Sequence, residues 1–147
     1  MAILAKTPPM GFNTWNTFGP NINEQMVLEM ADVMAEQGYR DAGYKYVVID
    51  DCWSLKQRGE DGRIVPDPEK FPNGMKAVAD YVHAKGLKFG MYSCAGVRTC
   101  AGYPSSFEYE FIDAETFVQT IISLSRNKQS RFCLHGLHLL FYFCIKQ

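Results

Sequence analysis

Four apolar residues in a row, Tyr46-Val47-Val48-Ile49, run directly into two adjacent aspartates, Asp50 and Asp51. An unbroken apolar run of strand length has no solvent face. It reads as a strand buried on both sides, which is the habit of parallel sheets. Parallel strands need crossover connections, and the flanking sequence supplies them. Met26, Val27, Met30, Val33 and Met34 recur at helical spacing before the run. Asn21 with Glu24 resembles a capping box in front of that helix, and Gly38 is its stop. Beyond the run, Asn73 caps a second helix with Met75, Val78, Ala79 and Val82 on one face. Lys85 and Gly86 close it. Leu87 to Tyr92 is the next strand, and Asp113 caps a third helix with Ala114, Phe117 and Ile121 inward. Gly11 to Trp15 makes a short strand ahead of all these. The order strand, helix, strand, helix, strand, helix is an α/β chain with right-handed crossovers.

The chain has 147 residues, 47% hydrophobic and 21% charged, with a net charge of −1. That composition is too apolar for disorder. No run of about 20 apolar residues exists, so no membrane span is expected. Near-neutral charge without a basic, aromatic-interleaved surface excludes an ordinary nucleic-acid binder. The length suits one domain, but not a complete (β/α)8 barrel, which takes roughly 250 residues. Charge is unevenly placed. Residues 1–117 hold eleven basic and sixteen acidic side chains, whereas 118–147 hold Arg126, Lys128, Arg131 and Lys146 and no acid. The shift marks a boundary at 117/118. The first six residues lack the pattern of a secretory signal. Five cysteines, at 52, 94, 100, 133 and 144, form no tidy framework. Free thiols in a reducing, cytoplasmic setting are expected.

In such folds chemistry gathers at the C-terminal ends of strands. Those ends are Trp15, Asp50-Asp51 and Tyr92, and long loops, 54–72 and 93–112, leave from the same rim. Loops of that length are often functional. No Gly-rich phosphate loop follows any strand, which argues against a nucleotide fold. The Asp pair has a plain reading, in which one carboxylate caps a turn and the other is solvated. A metal site lacks a third ligand at suitable spacing. A sugar site uses every part: carboxylates accept charge-assisted hydrogen bonds from hydroxyl groups, and Trp15, Trp53 and Tyr92 offer apolar platforms for a pyranose face. Asp50 and Asp51 do not suit the two catalytic carboxylates of a glycosidase. Those stand about 5–5.5 Å apart or more, across the scissile centre, whereas chain neighbours on a strand start toward opposite faces. Glu108 and Glu110 read as loop surface. Cys94 with Cys100, and Cys133 with His135 and His138, are weak redox or metal motifs.

Several stretches together resemble glycoside hydrolase family 27, the α-galactosidases or melibiases. They are Thr7-Pro-Pro-Met-Gly-Phe-Asn-Thr-Trp15-Asn, Asp41-Ala-Gly-Tyr, Ile49-Asp-Asp-Cys-Trp53, Pro66-Asp-Pro-Glu-Lys-Phe-Pro72, Gly86-Leu-Lys-Phe-Gly-Met-Tyr92 and Thr99-Cys-Ala-Gly102. The resemblance implies a (β/α)8 TIM barrel, of which about the first three βα units lie within residues 1–117. It implies retaining hydrolysis of terminal α-D-galactose from α-galactosides, with no metal or organic cofactor. It further implies that Trp15 stacks on the sugar, that Asp50 and Asp51 bind its hydroxyl groups, and that Tyr92 and Cys100 line the pocket. Pro20 stands where secreted relatives have the cysteine that pairs with the one matching Cys52, so a free Cys52 is expected. The partner of Cys100 is also missing. In the family a fourth strand of Lys-Tyr-Asp type carries the nucleophile, and the acid/base aspartate follows later. Residues 118–147 contain neither Asp nor Glu. No catalytic carboxylate is therefore expected in this chain, and the tail reads as a frameshift, read-through or truncation product, with a genuine alternative C-terminus as the other reading. A non-catalytic galactose-binding or interaction fragment, and the related α-N-acetylgalactosaminidase and β-L-arabinopyranosidase activities, stand as alternatives.

Overall fold

A computed structural model describes residues 8–121. Expectations that concern Cys133, His135, His138 and Cys144, the acid-free tail beyond Ile121, and the first seven residues lie outside the described residues. The elements are β1 (Gly11–Asn13), α1 (Trp15–Phe18), α2 (Glu24–Glu36), β2 (Tyr46–Ile49), α3 (Gly74–Ala84), β3 (Lys88–Met91) and α4 (Glu110–Ile121). The strands form one parallel sheet in the order β1-β2-β3. Phe12 lies beside Val47, and Val47 beside Phe89. Helix α4 runs past position 117 to Ile121.

The apolar run is less symmetrically buried than its sequence implies. Val47 and Ile49 are fully enclosed, but Tyr46 and Val48 are only half-buried. Alternate residues of a strand face opposite ways. One face meets α2 and α3, while nothing among the described residues covers the other as completely. Val27, Ala31 and Met34 of α2 join Met75, Val78, Ala79 and Val82 of α3 in one core. Burying a side chain of this class contributes about 1.5–3 kcal/mol. Met26 and Met30 sit at the core's margin, whereas Val33 is 40% exposed, outside the stripe assigned to it. Its position places it beyond the arc that α2 presents to the sheet.

The helix caps differ from the local reading. Asn23, not Asn21, caps α2, its Oδ1 accepting the Met26 N–H at 2.9 Å. Glu24 does not complete a capping box. Its carboxylate accepts the Asn73 N–H and side-chain amide at 3.0 and 2.7 Å, tying together the starts of α2 and α3. Asn73 therefore precedes α3 as expected but makes no cap bond with its own side chain. Helix α4 begins at Glu110, not at Asp113, so Glu110 is helical rather than part of a loop. The C-terminus of α3 closes as expected. Gly86 takes φ 75°, its N–H reaches His83 O and the Leu87 N–H reaches Val82 O, the paired bonds of a Schellman motif.

At the far end of these helices Asp32 accepts the Tyr81 hydroxyl at 2.9 Å and pairs with Lys85. The Lys85 ammonium, then the Tyr81 hydroxyl, lower the Asp32 pKa; Asp32 in turn raises that of Lys85. A carboxylate with a lowered folded pKa stabilises the fold above its unfolded pKa and loses that contribution as pH falls through the folded value. A lysine with a raised pKa contributes below its unfolded pKa and ceases to do so as pH rises through the folded one. Thermal midpoints of the wild type should therefore fall at both acid and strongly alkaline pH relative to Asp32→Asn. Parallel pH profiles of the two proteins would refute this.

Candidate functional site

Because the three strands are parallel and adjacent, their C-terminal ends open on one rim. Three segments arrive there: Asn13-Thr14-Trp15 at the end of β1, Asp50-Asp51-Cys52 after β2, and Tyr92-Ser93 after β3. The sheet's hydrogen bonding continues into them. The Thr14 N–H donates to Val48 O at 3.2 Å, and the Tyr92 N–H to Ile49 O at 2.9 Å. Side chains then lace the segments together. Asn13 Nδ2 donates to Asp50 Oδ2 at 2.8 Å, while its Oδ1 accepts the Trp15 N–H at 2.9 Å. Thr14 Oγ1 accepts the Asp50 N–H at 3.0 Å. One asparagine thus orients both the carboxylate of β2 and the turn that launches Trp15. Sequence pattern does not single out Asn13 and Thr14 as site residues. Their only sequence signal is two polar residues at the end of an apolar strand.

The twin aspartates are not equivalent. Asp50 is half-buried at the rim. Asp51 is 3% exposed, and each of its oxygens takes a backbone N–H, Oδ1 from Cys52 at 2.8 Å and Oδ2 from Ala101 at 3.1 Å. It fastens loop 93–112 to the end of β2. Trp15 is the first residue of α1 rather than the end of a strand, and is 40% exposed. Tyr92 is half-buried. Cys100 is exposed and precedes the Ala101 that Asp51 holds. Trp53 is not available as a platform. It is buried, packs edge-on against Phe117 at 6.1 Å, and donates Nε1–H to Tyr92 O at 2.9 Å. Its alternation from the rim into the core follows from the turn at Cys52, which sits at φ 71°. Lys70 Nζ holds that turn, donating to Cys52 O at 2.8 Å and Pro20 O at 3.0 Å.

Cys52 and Cys100 are free thiols. Burial, and then the Asp51 charge beside it, push the Cys52 thiol pKa up. Burial, with Cys52 next to it, does the same to the Tyr103 phenol. A raised thiol pKa leaves less thiolate, the reactive form. Limited iodoacetamide treatment at pH 8 should label Cys100 well before Cys52, read by peptide mass spectrometry. Equal labelling in folded protein would contradict the structure. Among the described residues, no three His, Cys, Asp or Glu side chains are grouped so as to hold a metal, and no helix is long and apolar enough to cross a membrane. The rim offers carboxylate and amide hydrogen-bonding groups beside an exposed indole. It does not set two carboxylates facing each other across open space, since Asp51 is enclosed.

Comparison with known proteins places this arrangement. Residues 7–129 match the family model described as Alpha galactosidase A. The chain is 57% identical over 114 residues to an alpha-galactosidase A of Cellvibrio japonicus and 46% identical over 131 residues to the alpha-galactosidase A of Homo sapiens. These alignments cover 78% and 82% of this chain, but 28% and 30% of the relatives. The crystal structure of alpha-galactosidase I from Mortierella vinacea superposes with a TM-score of 0.79 at 48% identity, covering 81% of this chain and 30% of that one. An alpha-galactosidase from Saccharomyces cerevisiae solved with raffinose gives 0.76 at 49% identity, covering 79% and 25%. The chain thus spans between a quarter and a third of these proteins' length, and its three-stranded parallel sheet with covering helices is a partial TIM barrel. By sequence along most of its length and by fold, this chain belongs to the alpha-galactosidase family of glycoside hydrolases.

Proposed function

We propose that this chain carries the sugar-recognising part of a retaining α-galactosidase, and that the 147 residues by themselves bind galactose without hydrolysing galactosides. The observation that carries the reading is the Asn13–Asp50 bond, which fixes a half-buried carboxylate on the rim that also bears Trp15 and Tyr92. In this reading Trp15 stacks on the apolar face of the pyranose, Asp50 accepts hydrogen bonds from ring hydroxyls, and Tyr92 and Cys100 border the sugar. Asp51 acts by holding loop 93–112 against the end of β2 through the Ala101 N–H. Charge-assisted bonds of this kind are roughly twice as strong as neutral ones. Hydrolysis needs a nucleophile and an acid/base on either side of the anomeric centre. The last acidic residue of the chain is Glu115, on α4 and paired with Arg63, so neither role is filled beyond it. A relative from Gallus gallus, 50% identical over 127 residues, is named alpha-N-acetylgalactosaminidase. That likeness supports recognition of a galacto-configured ring rather than of one substituent on it.

Calorimetric titration of the full chain tests this. Galactose should bind saturably and more tightly than glucose. Asp50→Ala should weaken binding at least about tenfold, the loss of one charge-assisted bond, and p-nitrophenyl α-galactoside should not be turned over. Equal response to the two sugars would sink the recognition claim. Turnover above a boiled control would sink the claim of inactivity.

A further inference from the structure

Arg58 is the most heavily engaged cation in the described chain, and sugar recognition as read above makes no use of it. It leaves the first rim loop and enters the space between the second rim loop and α4. Its guanidinium forms a fork on Asp113, Nη1 to Oδ1 at 2.6 Å and Nη2 to Oδ2 at 2.8 Å. Nη1 also donates to Gly62 O at 2.8 Å, within its own loop. Nη2 donates to Ser105 O at 2.7 Å, in the other loop. The guanidinium lies over the Tyr109 ring, 3.9 Å from its centroid. The side chains of Arg58 and Asp113 are 12% and 2% exposed.

Ser105 begins a short connected path toward the rim. Its hydroxyl donates to Cys94 O, and the Ser106 N–H donates to the same carbonyl at 2.9 Å. Tyr103 O accepts the Thr99 N–H at 3.0 Å, and Arg98 pairs with Pro104 across a bridge. That hairpin-like segment carries Ala101, whose N–H donates to Asp51 Oδ2. Lys56, two residues before Arg58, holds the same tip through Ala101 O at 2.8 Å and lies over the Tyr103 ring. The first loop thus grips the second at its tip and at its base.

We propose that Arg58, fixed by Asp113, is a positioning residue: it sets loop 93–112 so that Ala101 stays on Asp51 and Cys100 stays beside the rim. This deepens the galactose reading and rests on it for its ligand. A planar fork is required, because a lysine is a point charge and cannot reach Asp113, Gly62 and Ser105 together. Arg63 is the natural control. It also spans from the first loop to α4, meeting Thr116 and Glu115 at 2.6 Å, but among the described residues its side chain makes no hydrogen bond or ion pair to loop 93–112.

The test is amide hydrogen exchange of the full chain, wild type against Arg58→Lys and Arg63→Ala, with galactose titration alongside. In Arg58→Lys the Ala101 amide should exchange at least about tenfold faster while Val47 to Ile49 keep their protection. Galactose affinity should fall about tenfold, equivalent to about 1.4 kcal/mol. Arg63→Ala should change neither. A merely structural role would raise exchange at Ala101 and in β2 together, and that result overturns the proposal, as does an unchanged Ala101. Should Arg58→Lys fail to fold, Tyr109→Ala removes only the half-exposed ring beneath the guanidinium, and the same selective rise at Ala101 is then required. If the wild type shows no response to galactose, the carbohydrate reading fails on that arm alone, and Ala101 exchange still decides the role of Arg58.

Discussion

Gly11→Ala should abolish cooperative folding. A Cβ at Gly11 would stand 2.2 Å from Tyr46 O and 2.6 Å from Tyr46 Cβ. Both are fixed by the strand pairing of Gly11 with Tyr46. A flexible side chain could swing aside, but a backbone carbonyl in a sheet cannot. Overpacking usually costs about 1–3 kcal/mol where side chains can yield, and a backbone clash exceeds that. Total stability of a domain is only about 5–15 kcal/mol. The consequences reach the rim, since β1 delivers Asn13, Thr14 and Trp15. Near-UV circular dichroism and urea unfolding check the prediction. A cooperative transition within about 1 kcal/mol of wild type, a small effect on the usual scale for point mutants, would mean that β1 is not paired as described.

Arg58→Leu is expected to be the costliest substitution that leaves the backbone geometry alone. It strands the Asp113 carboxylate, 2% exposed, without its counter-charge. Breaking a buried ion pair from one side typically costs about 3–5 kcal/mol, because the remaining charge stays desolvated. The double variant Arg58→Leu with Asp113→Leu should recover much of that loss, since no orphan charge remains. Urea midpoints of the two singles and the double complete the cycle. Strictly additive losses would show that the pair is not coupled. Arg58→Lys keeps a cation near Asp113 and is the milder change, which is why it suits a test of position rather than of stability.

Much of this architecture is legible in local patterns. The short apolar runs Tyr46–Ile49 and Lys88–Met91 mark strands, and the helical spacing of Met75, Val78, Ala79 and Val82 marks a helix. Gly38 and Gly86, both at positive φ, mark helix ends for the same local reason. Where local pattern misleads, the deciding partner is distant. Asp113 looks like an N-cap because it precedes an apolar helical pattern, yet Arg58 draws it inward from 55 positions away. Glu24 looks like half of a capping box, yet Asn73 takes its carboxylate. Trp53 looks like a rim aromatic beside the aspartates, yet the left-handed turn at Cys52 sends it into the core against Phe117.

The order of residues along the chain was sufficient to set a parallel α/β unit with Trp15, Asp50, Asp51 and Tyr92 at one end of it, because periodicity and strand direction are near-neighbour properties. It could not say which of two adjacent carboxylates faces solvent, which loop grips which, or that Asn13 orients Asp50. Those outcomes depend on hydrogen bonds and an ion pair between segments tens of residues apart, and such bonds leave no periodic trace in the chain that makes them.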